Sequence, residues 1–452
     1  MKRITRGCLT AAMVCLLSGG PARAQQPNSL TLEAAIDLGL QNNASLHGSL
    51  MRVEAADARL SEVNASRLPS VKVGASYTRL SDVPPSLLQI PKDFFGPNFP
   101  PQAISSTLSP VVLDNYNVRF TVQQPLFTGF RLQSSANAAD YASQAASEDY
   151  ARDKSGLIVQ VTNAYWNLYK AGEFKKVVDE NVEQMKAHLK DVQNFLAQGV
   201  VTKNEVLKVE VQLSNVQLIQ IDAANNVRLA SINLSNLIGL PLGTEIAIAS
   251  QPVPWTGGPG STDSLVRVAL ENRHELRSLD LRVKAGESAV TAARAGWFPQ
   301  IFLSGNYYYS RPNQRFFPTQ DEFKDTWDVS LTASLDLWNW GATLDQTHQA
   351  QAQLQETKDA LSQVRDAVAL EVTQSSLALE QARERIDVSE AGIGQAEENL
   401  RITNEKFKSG LALNSDVLDA EAALLQAKWN HIQSVADQEV ARAHLRSAVG
   451  ER

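Results

Sequence analysis

The chain is built twice. Arg67-Leu68-Pro69-Ser70 returns 230 positions later as Trp297-Phe298-Pro299-Gln300, and Pro125-Leu126-Phe127 returns 211 positions later as Asp336-Leu337-Trp338. At the second offset Gly199 falls on Gly410, Val206-Leu207 on Val417-Leu418, Glu210 on Glu421 and Gly239 on Gly450. A constant offset across this stretch means duplication without insertion. The change of offset places 19 extra residues in the first copy, between Pro69 and Pro125. A period this long is a domain-scale duplication, not a solenoid of small units. It divides the mature chain into repeats at about 25–255 and 256–452.

The start of the chain reads as an export signal, residues 1–24. Lys2, Arg3 and Arg6 precede a short apolar core from Leu9 to Leu17, and Ala22-Arg23-Ala24 fits a small-x-small cleavage pattern. Both cysteines, Cys8 and Cys15, fall inside it, so the mature chain is expected to have neither disulfide nor thiol chemistry. The residues around Cys15 do not suit lipidation, and the N-terminus is read as unmodified. Removing the signal moves the formal charge from -7 to -11, which argues against nucleic acid as a partner. After the signal no apolar run approaches the ~18 residues of a spanning helix. The protein is therefore periplasmic or secreted, or it crosses a membrane as a barrel, whose strands hide their apolar signal by alternation.

Alternation is present. Tyr116, Val118, Phe120 and Val122 share one face, with Asn115, Asn117, Arg119, Thr121 and Gln123 on the other. Trp327, Val329, Leu331, Ala333 and Leu335 alternate with Thr326, Asp328, Ser330, Thr332, Ser334 and Asp336. Strands are expected at about 71–81, 115–125, 301–310 and 326–336. Their length suits tilted membrane strands, and Tyr77, Tyr307, Tyr308 and Tyr309 near strand ends suit a bilayer interface. A soluble sheet with one wet face is the competing reading. Four strands cannot close a barrel, and open edges are not tolerated in lipid. Three chains would supply twelve strands. The first strand connection, Ser81–Asp114, is long and carries seven prolines, whereas Arg311–Asp325 is shorter.

Residues 131–198 and 342–409 contain no proline and are rich in helix formers. Each is 68 residues, about 100 Å if continuous. Heptad-like spacing (Leu157, Val161, Ala164, Leu168, then Val178, Val182, Met185, Leu189) predicts a coiled-coil seam. Gly199 and Gly410 then mark helix ends, and second helices are expected at 202–238 and 414–449. Asn204 and Asn414 or Ser415 are candidate N-caps. Shorter helices are expected before the strands, at about Ser45–Ser66 and Glu275–Gly296. Pro69, Pro125 and Pro299 are read as sitting where helix meets strand.

With these parts assembled, the chain resembles the TolC-type outer membrane efflux proteins over its mature length. The resemblance rests on Gln124-Pro125-Leu126-Phe127-Thr128-Gly129, on Ile238-Gly239-Leu240-Pro241, and on Gly410 followed by Asp416-Val417-Leu418-Asp419-Ala420. It implies long coiled-coil helices plus membrane strands: a homotrimer with a 12-strand outer-membrane β-barrel, continued by a 12-helix periplasmic α-barrel. It implies the outer membrane of a Gram-negative bacterium as location and outer membrane lipid as surroundings. The implied partners are a periplasmic adaptor (membrane fusion) protein and an inner-membrane pump of RND, ABC or MFS type. The function implied is the passive exit duct of a tripartite efflux pump or type I secretion system. The alternative is a periplasmic coiled-coil adaptor without a pore.

Asp416 and Asp419, at i and i+3, share a helix face at a helix start. Carboxylates there are favoured by the helix dipole alone. The resemblance instead implies acidic rings at the periplasmic entrance, with Glu205 at the position equivalent to Asp416. The basic partner expected two residues after Gly410 is Ala412, and Phe407 replaces a tyrosine. Lys203 is the candidate replacement contact in the gate. The tip turns, Gly199-Val200 and Gly410-Leu411, are the implied docking points for the adaptor. The six histidines are scattered, so no metal site and no cofactor are expected. There is no phosphate loop, nucleophile elbow or dinucleotide fingerprint, and no residue set supports an enzyme. Tyr165 and Trp166 are read as packing residues.

Overall fold

The computed structural model describes residues 28–84, 86–90, 104–109, 111–253, 255, 257–258 and 260–451. The export signal and both cysteines lie outside the described residues.

Helix boundaries follow local chemistry. Helix α1 (Leu32–Asn42) starts at Thr31, whose hydroxyl accepts the Ala34 N–H at 3.2 Å. Helix α2 (Ala44–Ala65) starts at Asn43, whose carbonyl oxygen accepts from Ser45 and Leu46 at 2.9 and 3.1 Å. These bonds satisfy N–H groups that the first helical turn leaves unpaired. Two helices then dominate: α3 (Arg131–Ala197) and α7 (Ala342–Lys408), 67 residues each. Each is followed by a 36-residue helix, α4 (Lys203–Ile238) and α8 (Asn414–Val449). The second half also has α5 (Thr262–Asn272), α6 (His274–Ala293) and a 3-10 turn (Arg294–Trp297). The expected caps are corrected here. The N-cap residues are Thr202 and Leu413, while Asn204 lies inside α4 and Asn414 is the first residue of α8.

One antiparallel sheet joins the two halves. Its order is β2 (Ser70–Arg79), β5 (Asp114–Thr128), β7 (Gln300–Arg311), β8 (Lys324–Ser334). Strands β5 and β7, one from each half, pair through the middle, which leaves β2 and β8 as the edges. Pro125 is not at a helix–strand junction. It sits inside β5, at a register shift between Pro125 and Phe127, where a residue without an N–H costs the ladder least. The long first connection holds a hairpin, β3 (Ser86–Ile90) with β4 (Ile104–Ser109). A short parallel pair, β1 (Asn28–Leu30) with β6 (Ile246–Ile248), ties the N-terminal segment to the end of α4. Tyr165 fastens it from α3: its hydroxyl donates to the Leu30 carbonyl and accepts the Ser250 N–H, both at 2.9 Å. It is therefore a clamp as well as a packing residue.

The helices form a wall. Below the sheet, α3 packs between α2 and α6, and α6 against α7. Farther down the order is α4, α3, α8, α7. The seam side chains Val161, Val178, Val182 and Met185 are buried, with Leu189 packed against them.

Candidate functional site

The end of the wall farthest from the sheet is made by two hairpin turns. In both, a glycine in the left-handed region ends the long helix, Gly199 at φ 76° and Gly410 at φ 72°. The Val200 N–H bonds the Phe195 carbonyl and the Gly199 N–H that of Leu196, both at 2.9 Å. Leu411 to Lys406 at 2.8 Å and Gly410 to Phe407 at 3.0 Å repeat the pattern. This closing motif pairs otherwise orphaned carbonyls and requires a residue without a Cβ penalty at positive φ. Val200 and Leu411 are thereby held out in solvent at the tip.

Behind the turns lies an apolar plug. Phe407 is buried, its ring 5.7 Å from Phe195 and 5.4 Å from His188. Its ring packs within the tip of the single chain. His188 reaches Asn414 Oδ1 at 2.8 Å through Nε2. The Asn414 amide nitrogen donates to the Glu205 backbone carbonyl and to its carboxylate, both at 3.2 Å. The amide oxygen therefore faces His188, so His188 carries its proton on Nε2. Burial holds the His188 pKa below its ordinary value, so the ring stays neutral. A buried chain from α3 through α8 to α4 locks the two hairpins together.

Glu205 also accepts from Lys208 at 2.9 Å, and this bond holds its carboxyl below the usual range. Asp416 accepts the Leu413 N–H at 2.9 Å, so it does cap its helix. Asp416 and Asp419 are nevertheless both exposed, on the same side of α8. Among the described residues neither Asp419 nor Lys203 has an ion-pair partner in the chain. Ala412 packs against the plug. The arrangement presents two exposed carboxylates, neither in an ion pair within the chain among the described residues, at the free end of the wall. It can attract cations. Among the described residues no cluster of three or more His, Cys, Asp or Glu is placed to hold a metal.

Sequence reasoning passed over three residues here. In the sequence His188 is one of six scattered histidines, Asn414 is a candidate cap and Glu421 is the repeat of Glu210. Glu421 is 4 % exposed, with one carboxylate oxygen buried and unpartnered. Burial pushes its pKa up to about 7. The available signal was positional: Asn414, Val417, Glu421 and Leu424 follow the i, i+3, i+7 spacing of one buried stripe.

Comparison with known proteins bears on what such a wall and sheet serve. Residues 35–240 and 265–451 match the family described as outer membrane efflux protein. The chain is 22 % identical over 445 residues to the outer membrane efflux protein BepC of Brucella suis, covering 98 % of this chain and 90 % of that one. It is 24 % identical to the alkaline protease secretion protein AprF of Pseudomonas aeruginosa, covering 75 % and 70 %. The outer membrane channel CmeC of Campylobacter jejuni superposes with a TM-score of 0.77 at 17 % identity, covering 93 % and 85 %. The last likeness establishes the fold.

Proposed function

The chain belongs to the outer membrane efflux protein family, and on that premise we propose that three copies close into one continuous duct. The protein is an outer membrane channel extending into the periplasm, the exit duct of an efflux or type I secretion system. The family match sets aside the adaptor alternative.

The observation that carries the trimer is the sheet with two unpaired edges. One face of it is apolar and open: Trp327 is 71 % exposed and Leu331 66 %. In water such a face and such edges would drive aggregation. In a bilayer the face meets lipid, and the edges are satisfied when β8 of one copy pairs with β2 of the next. An 11-residue strand spans about 37 Å and, tilted by about 45°, about 26 Å, close to the ~25 Å apolar band of such barrels. Exposed aromatics flank this span. Tyr77, Tyr116, Tyr309 and Trp327 lie at one end, and Trp297, Phe298, Trp338 and Trp340 at the helical end. The helical wall has matching apolar edges, Leu218 and Ile221 on α4 and Leu370 and Leu377 on α7. Three such walls form the twelve-helix tunnel.

At the tunnel's end, three copies place six carboxylates from Asp416 and Asp419 around one axis. This ring favours cations. Lys203, exposed and without an ion-pair partner among the described residues, contacts the neighbouring copy in the closed state. The exposed turns Val200 and Leu411 meet the periplasmic adaptor, which links the duct to an inner-membrane pump. Substrates move through passively.

The test is conductance of the detergent-extracted protein in a planar bilayer. The expected result is cation-selective openings whose selectivity falls in Asp416→Asn/Asp419→Asn and whose closing weakens in Lys203→Ala. Unchanged selectivity would return the aspartates to helix capping, and an unchanged Lys203→Ala channel would remove that residue from the gate. A monodisperse monomer in detergent would sink the trimer.

A further inference from the structure

At the opposite end of the proposed duct, the charged residues on the polar face of the sheet are mostly of the opposite sign. Resting on the trimeric reading above, we infer that a cationic shelf at the exterior end of the barrel lumen makes the channel rectify ionic current. The polar face of the sheet is the lumen face in that assembly. Among its described strand positions, the charged residues are Lys72 on β2, Arg119 on β5, and Lys324 and Asp328 on β8. Arg315 adds to them from the β7–β8 loop, 312–323. Its guanidinium donates to the Asp328 carboxylate at 2.7 Å and to the Trp327 carbonyl at 3.2 Å. It also lies 4.9 Å from the centre of the Tyr308 ring.

Arg119 approaches the same ring from the other side of the strand row, at 6.0 Å. Arg119, Tyr308 and Thr326 are register partners, so both guanidiniums are held at one level of the sheet. Asn313, which is buried, anchors the loop to this face by donating to the Lys324 carbonyl at 3.0 Å and to Thr326 at 3.2 Å. Asp328 is itself tied into a cross-strand row, accepting from Asn306 at 2.9 Å, with Thr121 bonded to Asn306 at 2.9 Å. The shelf is thus built by named contacts: Arg119, Arg315 and Lys324 face one carboxylate, Asp328, with Lys72 deeper on the same face, while Asp321 of the same loop is paired with Arg311.

The two poles are separated by more than the length of α3 or α7, about 100 Å, because the shelf lies beyond the helices along the strands. Positive voltage at the periplasmic end drives cations in through the acidic entrance and anions in through the basic exit. Both fill the pore with carriers, whereas reversed voltage draws both out. Current is therefore larger with the periplasmic end positive. The effect depends on unscreened wall charge, so it is strong near 0.1 M salt, where the Debye length is about 10 Å, and vanishes near 1 M, where it is about 3 Å.

The experiment is the current–voltage curve of oriented single channels at both salt concentrations. We expect a current ratio of about two at low salt, as a wall potential of order kT provides, falling toward one at high salt. Arg119→Gln/Arg315→Gln should bring the low-salt ratio toward one. Arg119→Lys/Arg315→Lys, which keeps charge and loses the fork, should retain it. Lys72→Gln/Lys324→Gln leaves the Arg315 clamp untouched and should lower the ratio partway. A symmetric wild-type curve at low salt, or an asymmetry that survives the glutamine variants, would overturn the inference while leaving the duct intact. No openings at high salt from inserted trimers would overturn the duct reading and the inference with it.

Discussion

Glu210 and Glu421 are the same position in the two copies, yet the first is exposed on α4 and the second is sealed inside the wall on α8. Backbone does not separate them, because α4 and α8 are both 36 residues and follow glycine turns of nearly identical geometry. Place in the wall does. Helix α8 lies between α3 and α7, whereas α4 packs along α3 and is covered on its other side only near the sheet end, by α1. Residues Lys203 and Asn414 repeat the lesson. One projects into solvent, and the other, 211 positions on, is buried between His188 and Glu205. Duplication supplied two identical hairpins, and packing made one the centre of the wall and the other its edge. The edge is not uniform, because near the sheet end α1 covers α4 and buries Leu234 and Ile238 completely.

The sharpest attack on this contrast is at that covered stretch. Leu234→Ala should destabilise by about 3–5 kcal/mol, the range for truncating a fully enclosed leucine. Leu234 is 0 % exposed and its counterpart Leu445 is 8 % exposed, so Leu445→Ala should cost less. Thermal unfolding in detergent measures both, and equal midpoint shifts would mean that local enclosure does not set the cost.

The next effect is electrostatic. Burial lifts Glu421 from an ordinary 4.5 to about 7, so the folded chain holds a proton between those values that the unfolded chain releases. The corresponding stability is present in full below pH 4.5, is lost as pH rises toward about 7, and stays lost above it. The total is about 3 kcal/mol. Glu421→Gln should abolish this slope, and Glu210→Gln should leave it. Stability followed across that pH window decides the matter, and a slope that persists in Glu421→Gln would place the titrating group elsewhere.

A smaller difference separates Asn414 and Lys203. Asn414→Ala strips the buried His188 N–H of its acceptor and should cost about 1–3 kcal/mol. Lys203→Ala, on an exposed side chain, should stay within about 0.5 kcal/mol. Chemical denaturation of the two variants side by side tests this, and matching losses would erase the distinction between centre and edge.

Much of the fold was legible because it rests on local rules. Alternation at Thr326–Asp336 points to a strand, and β8 occupies Lys324–Ser334. The proline-free runs point to helices of the length seen in α3 and α7. The hairpin β3–β4, the β1–β6 pair and the helices α1 and α5 are each 11 residues or fewer, and their patterns, sharp as they are in α1 and α5, stand out less than the long proline-free runs. At the tip, the exposed aspartates were readable from spacing, while the His188–Asn414–Glu205 chain was not. Its members come from three helices, and residues 188 and 414 meet only through the fold.

What the sequence determined by itself was the duplicated plan: two glycine turns, two pairs of amphipathic strands and two pairs of matched helices. Each depends on interactions within a few residues, a left-handed glycine or a period of two or about 3.6. Only the tertiary structure decided which copy would be enclosed. It joined β5 to β7 and set α8 beside α3. That placement buried Glu421 and left Glu210 at the edge of a single chain, because burial depends on neighbours from distant sequence and not on the residue or its repeat.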